Sequence, residues 1–507
     1  MTPFIKDTVA FLKKSWLLCL FGVCMFVYIV IRAFTVSITH DEVNTCLLYA
    51  PMSVYDIVTY KDPIPNNHIL HTLLVKLCEN LFGISQFTVR IPNLLGFFLY
   101  FGAVVAFVYA VSPKWTIRIF ALSAFMLNPF LIDFFSLARG YALSIDFMLV
   151  ACYMAYLWLH EAKTAYLCLA LGLAITAAYT NFTALNFFAP FAGLLAVSIL
   201  QHARQHAPKD THAQRLFWLK HGAILAAGCL FLAAISYLPI KAMTSTDQFR
   251  FWGTKGFFED TLQTLVYMSL DGRGYIKNME TTKQIFSIFT ALYLCVLYAA
   301  IAINLWTKKT QLIRNPLGFF GLLLFGAVAS VIVQYFLLGT PYVTSRTALF
   351  FYPLTVLATI FFAEKLRQLM PKTELRLFVP TTLFIVWHFI GTLNLRSAGE
   401  WWYDRDDKIV LNYLKKVYEE SGRKEPIKLD AHWLFLPALH FYEQTENMSW
   451  IKLASWHQDP RPNDGAEYYY VVSEELPAFT ERYEPVMDFD WKSRILMRLK
   501  PNAEQSK

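Results

Sequence analysis

The sequence predicts an α-helical polytopic membrane protein of about eleven spans with a small α/β domain at its C-terminus. Three observations predict it. Of 507 residues, 56% are hydrophobic and only 16% charged, whereas soluble domains carry about a quarter charged residues. Apolar stretches of about 20 residues, long enough to cross a bilayer, recur through residues 1–395. Residues 396–507 contain none and read as amphipathic elements instead. The net charge of +8 divides into +12 on residues 1–395 and −4 on residues 396–507. The basic excess therefore belongs to the membrane part, which points to topology rather than to nucleic-acid binding.

The first apolar run, 15–36, follows Lys6, Lys13 and Lys14. It exceeds a signal-peptide core and has no small-residue cleavage site after it, so it reads as an uncleaved signal anchor. Further spans are expected at 88–111, 119–135, 141–159, 165–179, 182–200, 222–240, 285–306, 316–338, 347–363 and 377–394. With the N-terminus in the cytoplasm, the inside loops carry Lys114 and Arg118; Lys163; Arg204, Lys209, Arg215 and Lys220; Lys308, Lys309 and Arg314; and Lys365, Arg367, Lys372 and Arg376. Every loop assigned inside is basic, as the positive-inside rule requires. An odd number of spans places the C-terminal part outside.

Two external loops are long. In the first, 37–87, "VYDIVTY" and "HILHTLLVKLCENLF" read as surface helices separated by the turn-rich "KDPIPNNH". The second, 241–284, holds "DGRGY" and several aromatics. In the tail, "DKIVLNYLKKVYEESG" reads as a helix stopped by Gly422, and "PIKLDA", "EYYYVVS" and "RILMRLK" read as strands. The domain expectation is thus 1–395 for the membrane part and 396–507 for the soluble one. All eight cysteines lie upstream of residue 296, without disulfide or zinc spacing; Cys46 and Cys78 are the pair placed outside.

The chemistry-bearing residues lie at the outer ends of spans. Asp41 and Glu42, in "SITHDEVNTC", follow the first span directly. They either cap a short helix or supply a general base or a ligand to a divalent ion. His68 and His71 share one face of a helix, as interfacial side chains or as substrate or metal ligands beside the acids. Arg139, before Gly140 and Tyr141, either snorkels to the interface or binds a phosphate; Asp146 is its expected partner. Arg346 in "TPYVTSRTALFFYPL" offers a second outer cation. Lys241 and Arg273 are weaker candidates, better read as a solvated face.

The order of these motifs resembles the GT-C superfamily of membrane glycosyltransferases, in the branch of protein O-mannosyltransferases and the lipid A aminoarabinose transferase. The matching positions are Asp41-Glu42, "DPIPNNH", Arg90-Ile91-Pro92 and Arg139-Gly140-Tyr141, over most of 15–395. The sequence departs from that branch at "NNHILHT", which replaces a Pro-Pro-Leu-Tyr element, and at Arg346, which Thr and Ala follow.

The resemblance implies a transferase that moves a sugar from a polyprenyl-phosphate donor to an acceptor hydroxyl at the outer face, with inversion. Asp41 would be the general base, with Glu42 beside it. Arg139, Arg346 and Tyr141 would bind the donor phosphate, and Asn67, His68 and His71 would orient substrate. A divalent metal held by Asp41, Glu42, His68 and His71 remains an option, with no other cofactor implied. Implied partners are the lipid donor, membrane lipids and a protein, lipid or polysaccharide acceptor. The tail's lack of cysteines suits the periplasmic side of a bacterial inner membrane. Two rival readings stand beside this one. One is a transporter or flippase, since membrane arginines and acids also mark substrate pathways. The other is a scaffold whose Trp401, Trp402, Trp433, Trp450 and Trp456 bind envelope glycans.

Overall fold

A computed structural model describes residues 15–206, 210–248, 253–270, 276, 278–308, 315–455, 460, 462, 465–489 and 494–500. Lys6, Lys13, Lys14, Lys209, Arg273, Lys309, Arg314 and Trp456 lie outside the described residues.

Among the described residues nine helices are long and apolar enough to cross a membrane, and a bent pair makes a tenth crossing. The chain is an integral membrane protein. The helix at Thr164–Thr180, expected as a span, has 17 residues and falls just short of that length. The expected 119–135 span is two helices, Trp115–Met126 and Pro129–Phe135, set at 61°. The break has a local cause. Pro129 cannot continue a helix and disfavours helical backbone at Asn128. Asn128 instead caps the second helix, its Oδ1 accepting the Leu131 amide at 3.0 Å.

The chain forms two compact units. The first comprises residues 1–30, 52–74 and 91–393; the second comprises 31–51, 75–90 and 394–507. In the first unit, the surface helices expected after the first span are present at Val54–Thr59 and Ile69–Phe82, the latter running on into the second unit. Ile57, Tyr60, Ile69 and Met243 form a small apolar cluster that seats them.

The second unit carries a five-stranded sheet. Its strands are β1 (Ile427–Ala431), β2 (Ile451–Leu453), β3 (Tyr468–Val472), β4 (Tyr483–Phe489) and β5 (Arg494–Leu499), in the order β2-β1-β3-β5-β4. β1 runs parallel to β2 and β3, while β5 runs antiparallel to β3 and β4. The three strands expected from the sequence are there; β2 and β4 are additions, too short or too mixed in pattern to signal themselves. Tyr469, Val471, Phe479, Tyr483, Ile495 and Met497 fill a core on this sheet. The expected tail helix spans Asp407–Ser421 and ends at Gly422, whose φ of 61° is the left-handed conformation that closes helices.

Candidate active site

The acidic pair belongs to the second unit. Thr39 caps a one-turn helix, His40–Val43, that widens into a π-type turn over Asn44–Tyr49. The Glu42 amide donates to Thr39 Oγ1 at 3.4 Å, and the Thr39 amide donates to Glu42 Oε2 at 2.8 Å. This reciprocal capping box relieves Asp41 of the capping role that the sequence offered it. Asp41 is half-buried, in the first turn of that helix, and its carbonyl accepts the Thr45 hydroxyl at 3.1 Å.

Glu42 is fully buried and engaged. Arg90 Nε donates to its Oε1 at 2.8 Å and Nη2 to its Oε2 at 2.7 Å. The same guanidinium donates to the carbonyls of Ala33, Val36 and Ser37. Arg90 thereby joins the end of the first span to the acidic turn, using the planar fork that lysine lacks. Glu42 holds this turn together through Arg90.

Residues 394–507 hold the turn from its other side. The Ile38 amide donates to the Tyr442 hydroxyl at 2.7 Å and the His40 amide to Asp404 Oδ2 at 2.9 Å. The His40 ring lies 3.3 Å from the Leu434 carbonyl through Nδ1 and stands perpendicular to Tyr403 and Trp433. Cys46 and Cys78 remain free thiols.

The cations and histidines of the sequence prediction lie in the first unit. Arg139 is buried to 1% exposure at the start of the Gly140–Glu161 helix. Its Nη1 donates to the Asn66 carbonyl at 3.2 Å and its Nη2 to the Asn66 side chain. The Asn93 amide fixes the backbone before that helix, donating to the carbonyls of Phe134, Leu137 and Arg139 at 3.0, 2.5 and 2.7 Å. Tyr141 packs edge-on against His68, with ring centroids 4.8 Å apart, and against Phe134. The Arg139 guanidinium lies 6.0 Å from the Tyr141 ring.

His68 and His71 are both buried. Neither Nε2 of His68 nor either ring nitrogen of His71 has a hydrogen-bond partner among the described residues. Burial first, then the Arg139 charge, holds both imidazoles neutral: His68 well below its usual value, with His71 and Arg346 adding to the effect, and His71 down at about 3. Arg346 is half-buried on a short turn, Ser345–Ala348. Ser345 adopts a left-handed φ of 47°, and its amide donates to Thr264 Oγ1 at 2.8 Å. The turn is anchored further by the Thr261 hydroxyl, which donates to the Val343 carbonyl at 2.7 Å.

Asn67 is engaged within its own loop: its Nδ2 donates to the Ile57 carbonyl and its Oδ1 accepts the Thr72 hydroxyl, and Asn66 is the residue that meets Arg139. Asp146 does not pair with Arg139; among the described residues neither of its buried oxygens has a hydrogen-bond partner, and the side chain lies against Gly96. Lys241 is exposed on the Thr211–Ser245 helix, 5.9 Å from the Tyr237 ring. Asp41 and Glu42 fall in one unit and His68 and His71 in the other, and among the described residues no three His, Cys, Asp or Glu groups assemble to hold a metal ion. Sequence reasoning passed over Asn66, Asn93, Asp404 and Tyr442. Only Asn93 had a signal, lying directly after the Arg90-Ile91-Pro92 motif.

Neither a protein-family model nor a curated protein matches the sequence. Among solved structures the chain is similar to ArnT from Cupriavidus metallidurans bound to undecaprenyl phosphate. The identity is 10%, over 97% of this chain and 99% of that one, with a TM-score of 0.48. It is similar also to the arabinosyltransferase EmbB from Mycobacterium smegmatis, at 14% identity over 75% of this chain and 42% of that one, TM-score 0.35. A third is the Archaeoglobus fulgidus oligosaccharyltransferase, at 12% identity over 94% of this chain and 73% of that one, TM-score 0.34.

Proposed function

We propose that this protein is a membrane glycosyltransferase that takes a sugar from a polyprenyl-phosphate donor and passes it to an acceptor hydroxyl at the outer membrane face. The observation that carries this reading is a buried polar cluster in the first unit. Among the described residues three imidazole nitrogens of His68 and His71 have no hydrogen-bond partner, and the charges of Arg139 and Arg346 act on His68. Such groups are costly to bury unless something completes their hydrogen bonds. Neutral imidazole N–H groups and a guanidinium fork are donors suited to phosphate oxygens.

In this proposal Asp41 is the general base. It takes the acceptor's hydroxyl proton as the acceptor oxygen bonds to the anomeric carbon. The bond from that carbon to the phosphate oxygen breaks, and polyprenyl phosphate leaves with the electron pair, so configuration inverts. The charge that grows on the leaving phosphate is met by Arg139, Arg346, His68 and His71. Tyr141 fixes the His68 ring by edge-on packing. Glu42 acts through Arg90 to hold the turn that carries Asp41. The order of the sequence motifs supports assigning both sets of residues to one reaction.

The test is turnover of radiolabelled polyprenyl-phosphate sugars by the purified protein and its Asp41→Asn variant, with protein, lipid and polysaccharide acceptors. Labelled product from the wild type alone supports the reading. Turnover by both removes Asp41 as base. Turnover by neither, with folding verified, rejects the glycosyltransferase and favours lipid translocation.

A further inference from the structure

We propose that Asp404 is a positioning residue for the reaction: by accepting the His40 amide, it sets the place of Asp41. The inference rests on the reading of Asp41 as the base. Its second support is the pattern of donors at the acidic turn, all within the second unit.

A one-turn helix has too few internal hydrogen bonds to hold its own shape. The four amides from Ile38 to Glu42 that the geometry pairs are those of Ile38, Thr39, His40 and Glu42. Thr39 and Glu42 pair with each other through the capping box. The other two donate to residues of the 394–507 segment, Ile38 to Tyr442 and His40 to Asp404. The Tyr442 hydroxyl in turn donates to Gln86 Oε1 at 2.7 Å, and Gln86 Nε2 donates to the Val36 carbonyl at 2.7 Å. Asp41 thus sits next to a residue whose backbone is pinned by the tail, and its own rotamer starts from that backbone.

The environment of Asp404 suits this task. It is buried to 1% exposure, and its Oδ1 has no hydrogen-bond partner among the described residues. Burial, then the neighbouring Asp407, raises its carboxyl well above the usual range, with Asp41 and Glu42 adding to the effect. A carboxyl in such a place costs stability, and the task it performs needs only its acceptor oxygen. Asp404→Asn keeps an acceptor oxygen for the His40 amide, whereas Asp404→Ala removes it.

The experiment compares the wild type, Asp404→Ala, Asp404→Asn and Tyr442→Phe in the full-length protein. Two quantities are read: kcat and KM for a polyprenyl-phosphate sugar, and amide hydrogen exchange over residues 36–44. The expected result for Asp404→Ala is a fall in kcat of about 10- to 100-fold, the scale of a 1 Å misplacement. Its donor KM stays unchanged and exchange over 36–44 becomes faster. Asp404→Asn restores both readouts. Tyr442→Phe, which keeps the ring and loses the hydroxyl, accelerates exchange at Ile38 and lowers kcat in the same sense. Wild-type kcat in Asp404→Ala, or slow exchange over 36–44 in that variant, overturns the proposal. So does an Asp404→Asn variant as impaired as Asp404→Ala. If the wild type turns over no lipid-linked sugar, the function reading fails by itself, while the exchange data still report whether Asp404 pins the turn.

Discussion

Arg90 and Glu42 form a bidentate ion pair at 2.8 and 2.7 Å with both side chains fully shielded from solvent. The pair is the hub of the acidic turn, because the guanidinium also takes three backbone carbonyls at the end of the first span. Removing one partner strands the other. Arg90→Ala or Glu42→Gln is expected to destabilise the folded protein by about 3–5 kcal/mol, read as a lower unfolding midpoint in detergent. Arg90→Lys is expected to recover only part of that, since an ammonium cannot span both oxygens and the carbonyls. An Arg90→Met, Glu42→Leu double variant is expected to be more stable than either single one, which a thermal melt of all three would check.

Arg139 is the buried cation of the proposed phosphate site. Arg139→Ala is expected to lower kcat/KM for a lipid-phosphate donor by about 100-fold or more, the usual effect of deleting one donor to a charge that develops in the transition state. Arg139→Lys is expected to fall between, because it keeps the charge and loses the grip on Asn66. Steady-state kinetics at varied donor concentration measures both.

Gly140 lies where a side chain has no room. A methyl group there would come within 2.6 Å of His68 Cβ and 3.1 Å of the Thr180 carbonyl. Gly140→Ala is therefore expected to displace His68 and cost about 1–3 kcal/mol, with a loss of donor binding. Gly172→Ala is the control. It lies inside the Thr164–Thr180 helix with nothing within 4 Å of the new carbon. There alanine is expected to be neutral or to stabilise by up to about 1 kcal/mol.

Glu79, on the surface helix Ile69–Phe82, has its carboxyl pushed up to about 7 by burial, with Lys76 opposing the shift. A folded-state value above the unfolded 4.5 means that the folded protein binds the proton more tightly. Stability from this group is present below 4.5 and is lost as pH rises toward 7. Wild-type thermal stability is therefore expected to decline between pH 5 and about 8, and Glu79→Gln to flatten that decline and melt higher at the alkaline end. A melt series in one detergent over that range decides it; parallel curves for the two proteins would exclude Glu79 as the source.

Much of this architecture is legible in the residues. The spans announce themselves because a bilayer needs long apolar runs. The surface helices at 54–59 and 69–82 followed from their amphipathic pattern and the Pro-Asn break between them. The 61° bend after Met126 was not resolved, since Asn128-Pro129 interrupts an apolar run without changing its hydropathy. Asp41, Arg139, His68 and His71 were picked out by type and by their places at span ends. Asn67 was chosen over Asn66 because nothing in "PNNH" says which amide turns inward to its own loop; only the fold does.

The sequence by itself determined the membrane class, the location of the long loops between spans and the chemical vocabulary at the span ends: an acidic pair, two histidines and two arginines. Those features are written in local composition and in spacing along one helix or one loop, which act before any long-range contact forms. Tertiary structure alone decided how the members of each set divide their work. Arg90, 48 positions from Glu42, engages that carboxylate of the pair. Asn93 shapes the backbone that presents Arg139, and Asp404 meets His40 across 364 positions. Such roles depend on which distant partner completes a buried group's hydrogen bonds, and burial is a property of the folded chain.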